Sequence, residues 1–222
     1  ILILIIICLV GCKKGSNETT ITGEIKGLGT DTLYLYGMDE LYDRIDTIYV
    51  ENDKFSYTTS VDTITSAYLL LKNRIEYPVF LDKGNKIKIK GDTINLNFLT
   101  ISGNIYNEEF TDFQKALEDP ADPSEKAGEE TVDKRITVEK ANTAEEMAEE
   151  FILQHHSSYV SLYLLDKYFV QKETPDFSKI KKLVEVMTGV LQDKPYIERL
   201  NETITQAEKS EIGKYAPFFS LP

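Results

Sequence analysis

The chain has 222 residues, with 37 acidic against 25 basic side chains, a formal net charge of −12, and 41% hydrophobic residues. This is ordinary globular composition, long enough for one large or two small domains and too apolar for disorder throughout. Acidity with no basic cluster beyond Lys-Lys pairs argues against a nucleic-acid partner, because neutralising phosphate needs a concentrated Lys/Arg surface, and two cysteines cannot build a disulfide scaffold.

Eleven apolar or small residues, Ile1 to Gly11, precede Cys12, and the sequence turns polar at Lys13-Lys14-Gly15-Ser16-Asn17. A spanning helix needs ~20 apolar residues, whereas a secretory apolar region of roughly 7 to 15 residues fits this run. Residues 1–12 therefore read as a signal peptide without its Met and basic start, so the sequence is expected to begin inside it. Leu9-Val10-Gly11-Cys12 resembles the lipobox of bacterial lipoproteins. That resemblance implies that the Cys12 thiol takes a diacylglyceryl group, that Cys8 leaves with the signal peptide, and that the membrane is a partner. Each buried CH₂ of such a chain contributes ~0.8 kcal/mol to anchoring. Lys13-Lys14, with no acidic run beside it, favours an anchor facing the periplasm. Residues 13–18 are a tether.

Over residues 19–103 short runs of Ile, Leu, Tyr, Val, Phe and Thr alternate in polarity and are broken every eight to twelve residues by Gly, Asn or Asp. The pattern predicts about eight strands: Thr19 to Ile25, Thr32 to Tyr36, Ile45 to Val50, Lys54 to Thr59, Ala67 to Lys72, Tyr77 to Leu81, Lys86 to Lys90 and Leu99 to Ser102. Glu51-Asn52-Asp53, Asp82-Lys83-Gly84-Asn85 and the glycines Gly23, Gly27 and Gly29 read as hairpin turns. Lys86-Ile87-Lys88-Ile89-Lys90 alternates strictly, as an antiparallel strand with one wet face does. The fold class expected is α+β: an N-terminal antiparallel β-sandwich or partly open barrel, followed by a helical segment.

This stretch resembles the β-rich domain of unknown function that precedes thioredoxin-like domains in envelope lipoproteins of Bacteroides-type bacteria. The matching pieces are Ile21-Thr22-Gly23-Glu24-Ile25-Lys26-Gly27-Leu28, Leu33-Tyr34-Leu35-Tyr36, Ile45-Asp46-Thr47 leading to Asp53-Lys54-Phe55-Ser56-Tyr57, Pro78 to Asn85, and Ile101-Ser102-Gly103-Asn104 before a helix.

Residues 104–211 change to a helical period, with four to five helices expected. Asn107 to Leu117 is the first, and Glu118 to Gly128, with two prolines, is a linker or helix break. Ser157 or Ser158 caps a helix to Phe169. Thr174-Pro175-Asp176 starts another, whose Ile180, Leu183, Val184, Met187 and Leu191 share a face, and Pro195 opens one carrying Ile197, Leu200 and Ile204. Glu118 to Glu150 holds twelve acids against four bases, eight of the twelve net negative charges, and reads as a solvated helix face.

Two surface chemistries stand open. Asp31-Thr32, Asp46-Thr47, Asp62-Thr63 and Asp92-Thr93, each followed by an aliphatic residue, resemble the O-glycan acceptor motif of exported Bacteroides-type proteins, which makes Thr32, Thr47, Thr63 and Thr93 candidate acceptors. Asp-Thr is also plain turn chemistry. Tyr34, Tyr36, Tyr42 and Tyr49 form either a carbohydrate or peptide platform or ordinary β packing. His155-His156, adjacent in a helix and so ~100° apart, read as structural or surface residues, not ligands of one metal. No catalytic, cofactor-binding or metal-binding residue is expected.

Residues 212–222 contain Gly213-Lys214-Tyr215-Ala216-Pro217-Phe218-Phe219-Ser220-Leu221, which resembles the lead-in segment of thioredoxin-like domains of the peroxiredoxin and thiol-disulfide oxidoreductase type. The sequence is expected to be a piece ending at that domain's threshold. These resemblances imply the non-catalytic N-terminal region of a lipid-anchored oxidoreductase in the cell envelope of a Gram-negative bacterium, at the outer membrane, with periplasmic protein thiols or disulfides as partners of the domain that follows. The alternative is a freestanding lipoprotein whose β-domain binds a glycan or peptide, or a structural spacer.

Overall fold

Among the described residues eight strands form where the alternation puts them: β1 (Glu18–Lys26), β2 (Asp31–Gly37), β3 (Ile45–Val50), β4 (Lys54–Ser60), β5 (Thr65–Leu71), β6 (Ile75–Leu81), β7 (Lys86–Asp92) and β8 (Thr100–Ser102). The structure, a computed structural model, describes residues 17–38, 41–71, 75–118 and 143–210. The strands divide into two four-stranded sheets, ordered β4-β1-β7-β8 and β3-β2-β5-β6. Alternate residues of each strand point between the sheets: Ile21 and Ile25, Leu33 and Leu35, Ile48 and Val50, Ile87 and Ile89 are all buried. The result is an unclosed sandwich.

Three of the expected hairpins are corrected, because each joins one sheet to the other. Gly27 to Thr30 links β1 to β2, Asn52-Asp53 links β3 to β4, and Asp82 to Asn85 links β6 to β7. The Asn52-Asp53 turn is tight, with positive φ at both residues, but it closes on a single bridge, Glu51 with Lys54, before the strands part. A turn reverses the chain over four residues. Which ladder the outgoing strand then joins is decided by the face it must bury. The same logic overrides the all-antiparallel expectation, since β1 lies parallel to β7, with Ile21 opposite Ile87, while β7 is antiparallel to β8.

Two glycines are demanded by close approach. Gly23 faces Phe55 across the β1–β4 ladder, and a Cβ on it would stand 2.1 Å from Phe55 Cζ, so the ring lies over the space a side chain would fill. Gly103 has φ +114, and its Cβ would meet the Lys86 carbonyl oxygen at 2.3 Å.

The open sides of the sandwich are closed differently. On the β3/β4 side, the Tyr42 hydroxyl donates to Asp46 and lies 3.1 Å from Thr59 Oγ1, while Arg44 pairs with Asp46 at 3.1 Å and donates to the Ser60 carbonyl at 3.1 Å. On the β6/β8 side runs α1 (Ile105–Glu118). Its N-cap is Asn104, whose Oδ1 accepts the Asn107 N–H at 3.0 Å, so the helix begins before the expected Asn107. Asn107 and Thr111, one turn apart, instead reach the two sheet edges. Asn107 pairs with the main chain of Phe80 on β6, and Thr111 Oγ1 both accepts from and donates to Ile101 of β8, each at 3.0 Å.

The remaining helices are α2 (Ala144–Gln154), α3 (Tyr159–Leu165), α4 (Phe177–Val186) and α5 (Pro195–Ser210). Thr143 and Glu146 make a reciprocal capping box on α2, and Ser158 and Asp176 cap α3 and α4 as expected. The helix predicted to run to Phe169 widens into a π-turn, Asp166–Val170, with the Gln171 N–H on the Asp166 carbonyl at 2.9 Å. Met187 and Leu191 lie beyond α4, in its cap and in the short 3-10 turn Gly189–Leu191, though both remain buried. Edge-to-face aromatic pairs tie helices to sandwich: Tyr163 meets Tyr68 of β5 at 6.4 Å and Phe110 at 5.1 Å, and Phe110 meets Tyr77 at 5.7 Å and Phe80 at 6.3 Å.

Candidate functional site

Cys12, Lys13-Lys14, the lead-in run 213–222 and residues 119–142, which hold all of the expected Glu118 to Gly128 linker but Glu118, lie outside the described residues, and Glu118 itself closes α1. The four Asp-Thr threonines fall at four separate places. Thr32 is half-buried near the start of β2, with its N–H on Asp31 Oδ1 at 2.8 Å, Thr47 is exposed on β3, Thr63 is exposed between β4 and β5, and Thr93 follows β7 with its N–H on the Lys26 carbonyl at 2.9 Å.

The tyrosine set separates. Tyr34 and Tyr49 are 41% and 73% exposed and lie diagonally across the β2–β3 ladder, beside Ile45 at 73%. Tyr36 turns to Tyr68, at 5.7 Å between rings, and donates to Glu76. Tyr42 is corrected from surface to interior, at 4% exposed, because its hydroxyl is needed by Asp46. Burial and that acceptor push the Tyr42 phenol up to about 12. Burial also pushes the Asp46 carboxyl up, but hydrogen bonds from Tyr42, Tyr57 and Arg44 outweigh it and hold the group below the usual carboxylate range.

His155 and His156 are not helical, since His155 is the C-cap of α2 and His156 lies in the following turn. Their partners differ. The His155 ring stacks on Phe151 at 4.2 Å and lies 3.7 Å from Glu109, and His156 Nδ1 is 3.0 Å from Thr188 Oγ1. Of the acidic stretch, Glu118, Glu145, Glu146, Glu149 and Glu150 fall within the described residues, and Glu145 and Glu149 are ion-paired with α4 and the loop before it, not merely solvated. Glu149 meets Lys179 at 2.7 Å, and Glu145 meets Lys172 and, at 3.7 Å, Lys179.

A site that the sequence reading missed lies between the outer face of β5, the π-turn and α5. It is a pocket of about 200 Å³ with walls that include Met38, Tyr68, Tyr163 and Tyr196 and with one carboxylate, Asp166. Tyr196 Oη donates to Asp166 Oδ1 at 2.6 Å, and Gln171 Nε2 donates to Oδ2 at 2.5 Å. Among the described residues neither oxygen has an ion-pair partner. The carboxylate is felt by the walls: burial first, and the Asp166 charge next, push the Tyr68 and Tyr196 phenols well above their ordinary value, and burial with the neighbouring tyrosines does the same for Tyr163. One signal was in the sequence. Asp166 directly follows a largely apolar run, Tyr159-Val160-Ser161-Leu162-Tyr163-Leu164-Leu165, whose seven residues are all buried, and a charge against such a run demands a reason.

Residues 19–110 match the family model described as a domain of unknown function, DUF4369. The matched segment takes in all of β2 to β8 and the part of α1 that carries Asn107 and Phe110. Comparison with curated proteins gives no match, and neither does comparison with solved structures.

Proposed function

We propose that this chain is the non-catalytic accessory region of a lipid-anchored envelope protein that carries a thioredoxin-like thiol-disulfide oxidoreductase domain. The observation that carries the reading is Leu9-Val10-Gly11-Cys12 at the end of an apolar run, only six residues before β1 begins at Glu18. A lipid on Cys12 then holds the sandwich close to a membrane surface, through a tether too short to let it drift away. Two further features support the reading: the family match over residues 19–110, and the thioredoxin-like lead-in run beginning at Gly213, three residues after α5 ends at Ser210. The sandwich and helices would space the redox domain from the bilayer. Expression of the complete gene with labelled palmitate is the test. The label should enter the protein and vanish in Cys12→Ser, and the codons after Pro222 should encode a Cys-x-x-Cys pair. Equal labelling of Cys12→Ser would remove the anchor, and a stop codon at that point would remove the redox role.

One observation favours a second reading, a freestanding glycan- or peptide-binding lipoprotein. Tyr34, Tyr49 and Ile45 are exposed together on the outer face of β2 and β3. Aromatic rings on a flat sheet suit sugar faces and extended peptides. Glycan-array binding lost in a Tyr34→Ala, Tyr49→Ala double variant would support it, and an array without signal would dismiss it.

A further inference from the structure

We infer that the Asp166 pocket is a binding site for a small organic cation, a guanidinium or alkylammonium group. The argument starts from charge. Asp166 sits at the start of a π-turn, a widened turn that is rare within helices and recurs at functional sites. Both of its oxygens accept hydrogen bonds, but from neutral donors, Tyr196 and Gln171, so its geometry is fixed while among the described residues it has no ion-pair partner. A carboxylate has about four lone-pair sites, and two hydrogen bonds leave room for a further donor.

The walls point to the same chemistry. Tyr68, Tyr163 and Tyr196 line the pocket with Met38, and aromatic faces attract cations through their quadrupole. One of the chain's own cations already lies over such a ring. Lys167 Nζ stands 5.7 Å from the Tyr163 ring centre. An anion is disfavoured by Asp166, and a neutral apolar ligand would offer its charge no counter-charge. At about 200 Å³ the pocket has room for roughly six or seven waters at ~30 Å³ each, the size of a side-chain terminus or a small amine.

The site does not depend on the lipid or redox reading, and its test is separate. The purified full chain is titrated with methylguanidinium, with n-butylammonium, and with n-butanol as the neutral counterpart, by calorimetry and ligand-observed NMR. Both cations should bind saturably and n-butanol should not. Asp166→Asn, which keeps an acceptor for Tyr196, should weaken cation binding by about tenfold or more. Tyr196→Phe retains the ring and frees a lone pair of Asp166, so the cations should bind it at least as well as the parent. Absence of saturable cation binding, equal affinity in Asp166→Asn, equal binding of n-butanol, or loss in Tyr196→Phe each overturns the assignment. A Gly-Arg-Gly peptide separates the sources, since binding tighter than methylguanidinium assigns the site to a polypeptide side chain and weaker binding assigns it to a free cation.

Discussion

The side-chain amide of Asn107 pairs with both main-chain groups of Phe80: Oδ1 accepts the Phe80 N–H at 3.0 Å and Nδ2 donates to the Phe80 carbonyl at 2.8 Å. Phe80 is on β6, the edge of its sheet, and Asn107 is 1% exposed. One side chain thus stands in for a missing neighbouring strand. Thr111 does the same for Ile101 on β8, so a single helix seals the edges of both sheets.

Asn107→Ala should therefore cost about 2–3 kcal/mol in urea unfolding, because it leaves a buried N–H with no partner, while Asn104 still serves the Phe80 carbonyl at 2.8 Å. A change in stability under ~0.5 kcal/mol, the level of an ordinary surface substitution, would mean that the edge finds another partner.

Gly23→Ala should destabilise by about 1–3 kcal/mol, since Phe55 must leave the space over residue 23. The cost should shrink in a Phe55→Leu background, where no ring meets the new methyl. Purely additive losses in that double-mutant cycle would show that the ring is not the obstacle.

Acid should weaken the Asp46 cluster. A carboxyl held below its unfolded value of about 4 contributes stability in full above that pH, and the contribution is lost as pH falls through the lower folded value. The stability difference between the parent and Asp46→Asn should be constant from neutral pH down to about 5 and narrow below about 4. Unfolding free energies measured across that range check it, and a difference that widened in acid would contradict the sign.

Phe110→Ala should cost about 3–5 kcal/mol, because the ring is 4% exposed and meets Tyr77, Phe80 and Tyr163 at once. Since those partners belong to both β6 and α3, tryptic resistance of sandwich and helices should fall together. Selective loss in the helices alone would show that the two parts unfold independently.

Much of this fold was legible in the residues. The eight strands follow from period-2 alternation, and Lys86 to Lys90 alternates exposed and buried as written. Ser158 and Asp176 cap the helices they announce, because capping is a contact between side chain and backbone a few residues apart. Local chemistry also gave the tight turn at Asn52-Asp53.

Tertiary structure alone decided the rest. The parallel neighbours β1 and β7 are joined by five intervening strands, and no local signal specifies that pairing. Asn107, read as the start of a helix, proved to be an edge partner only once β6 stood beside it. Asp166 became a bonded carboxylate in an aromatic pocket only when β5 and α5 converged on its turn. Sequence by itself fixes what each residue can satisfy within a few positions. Which distant group it does satisfy is set by the burial of both sheets and their edges, a property of the whole chain.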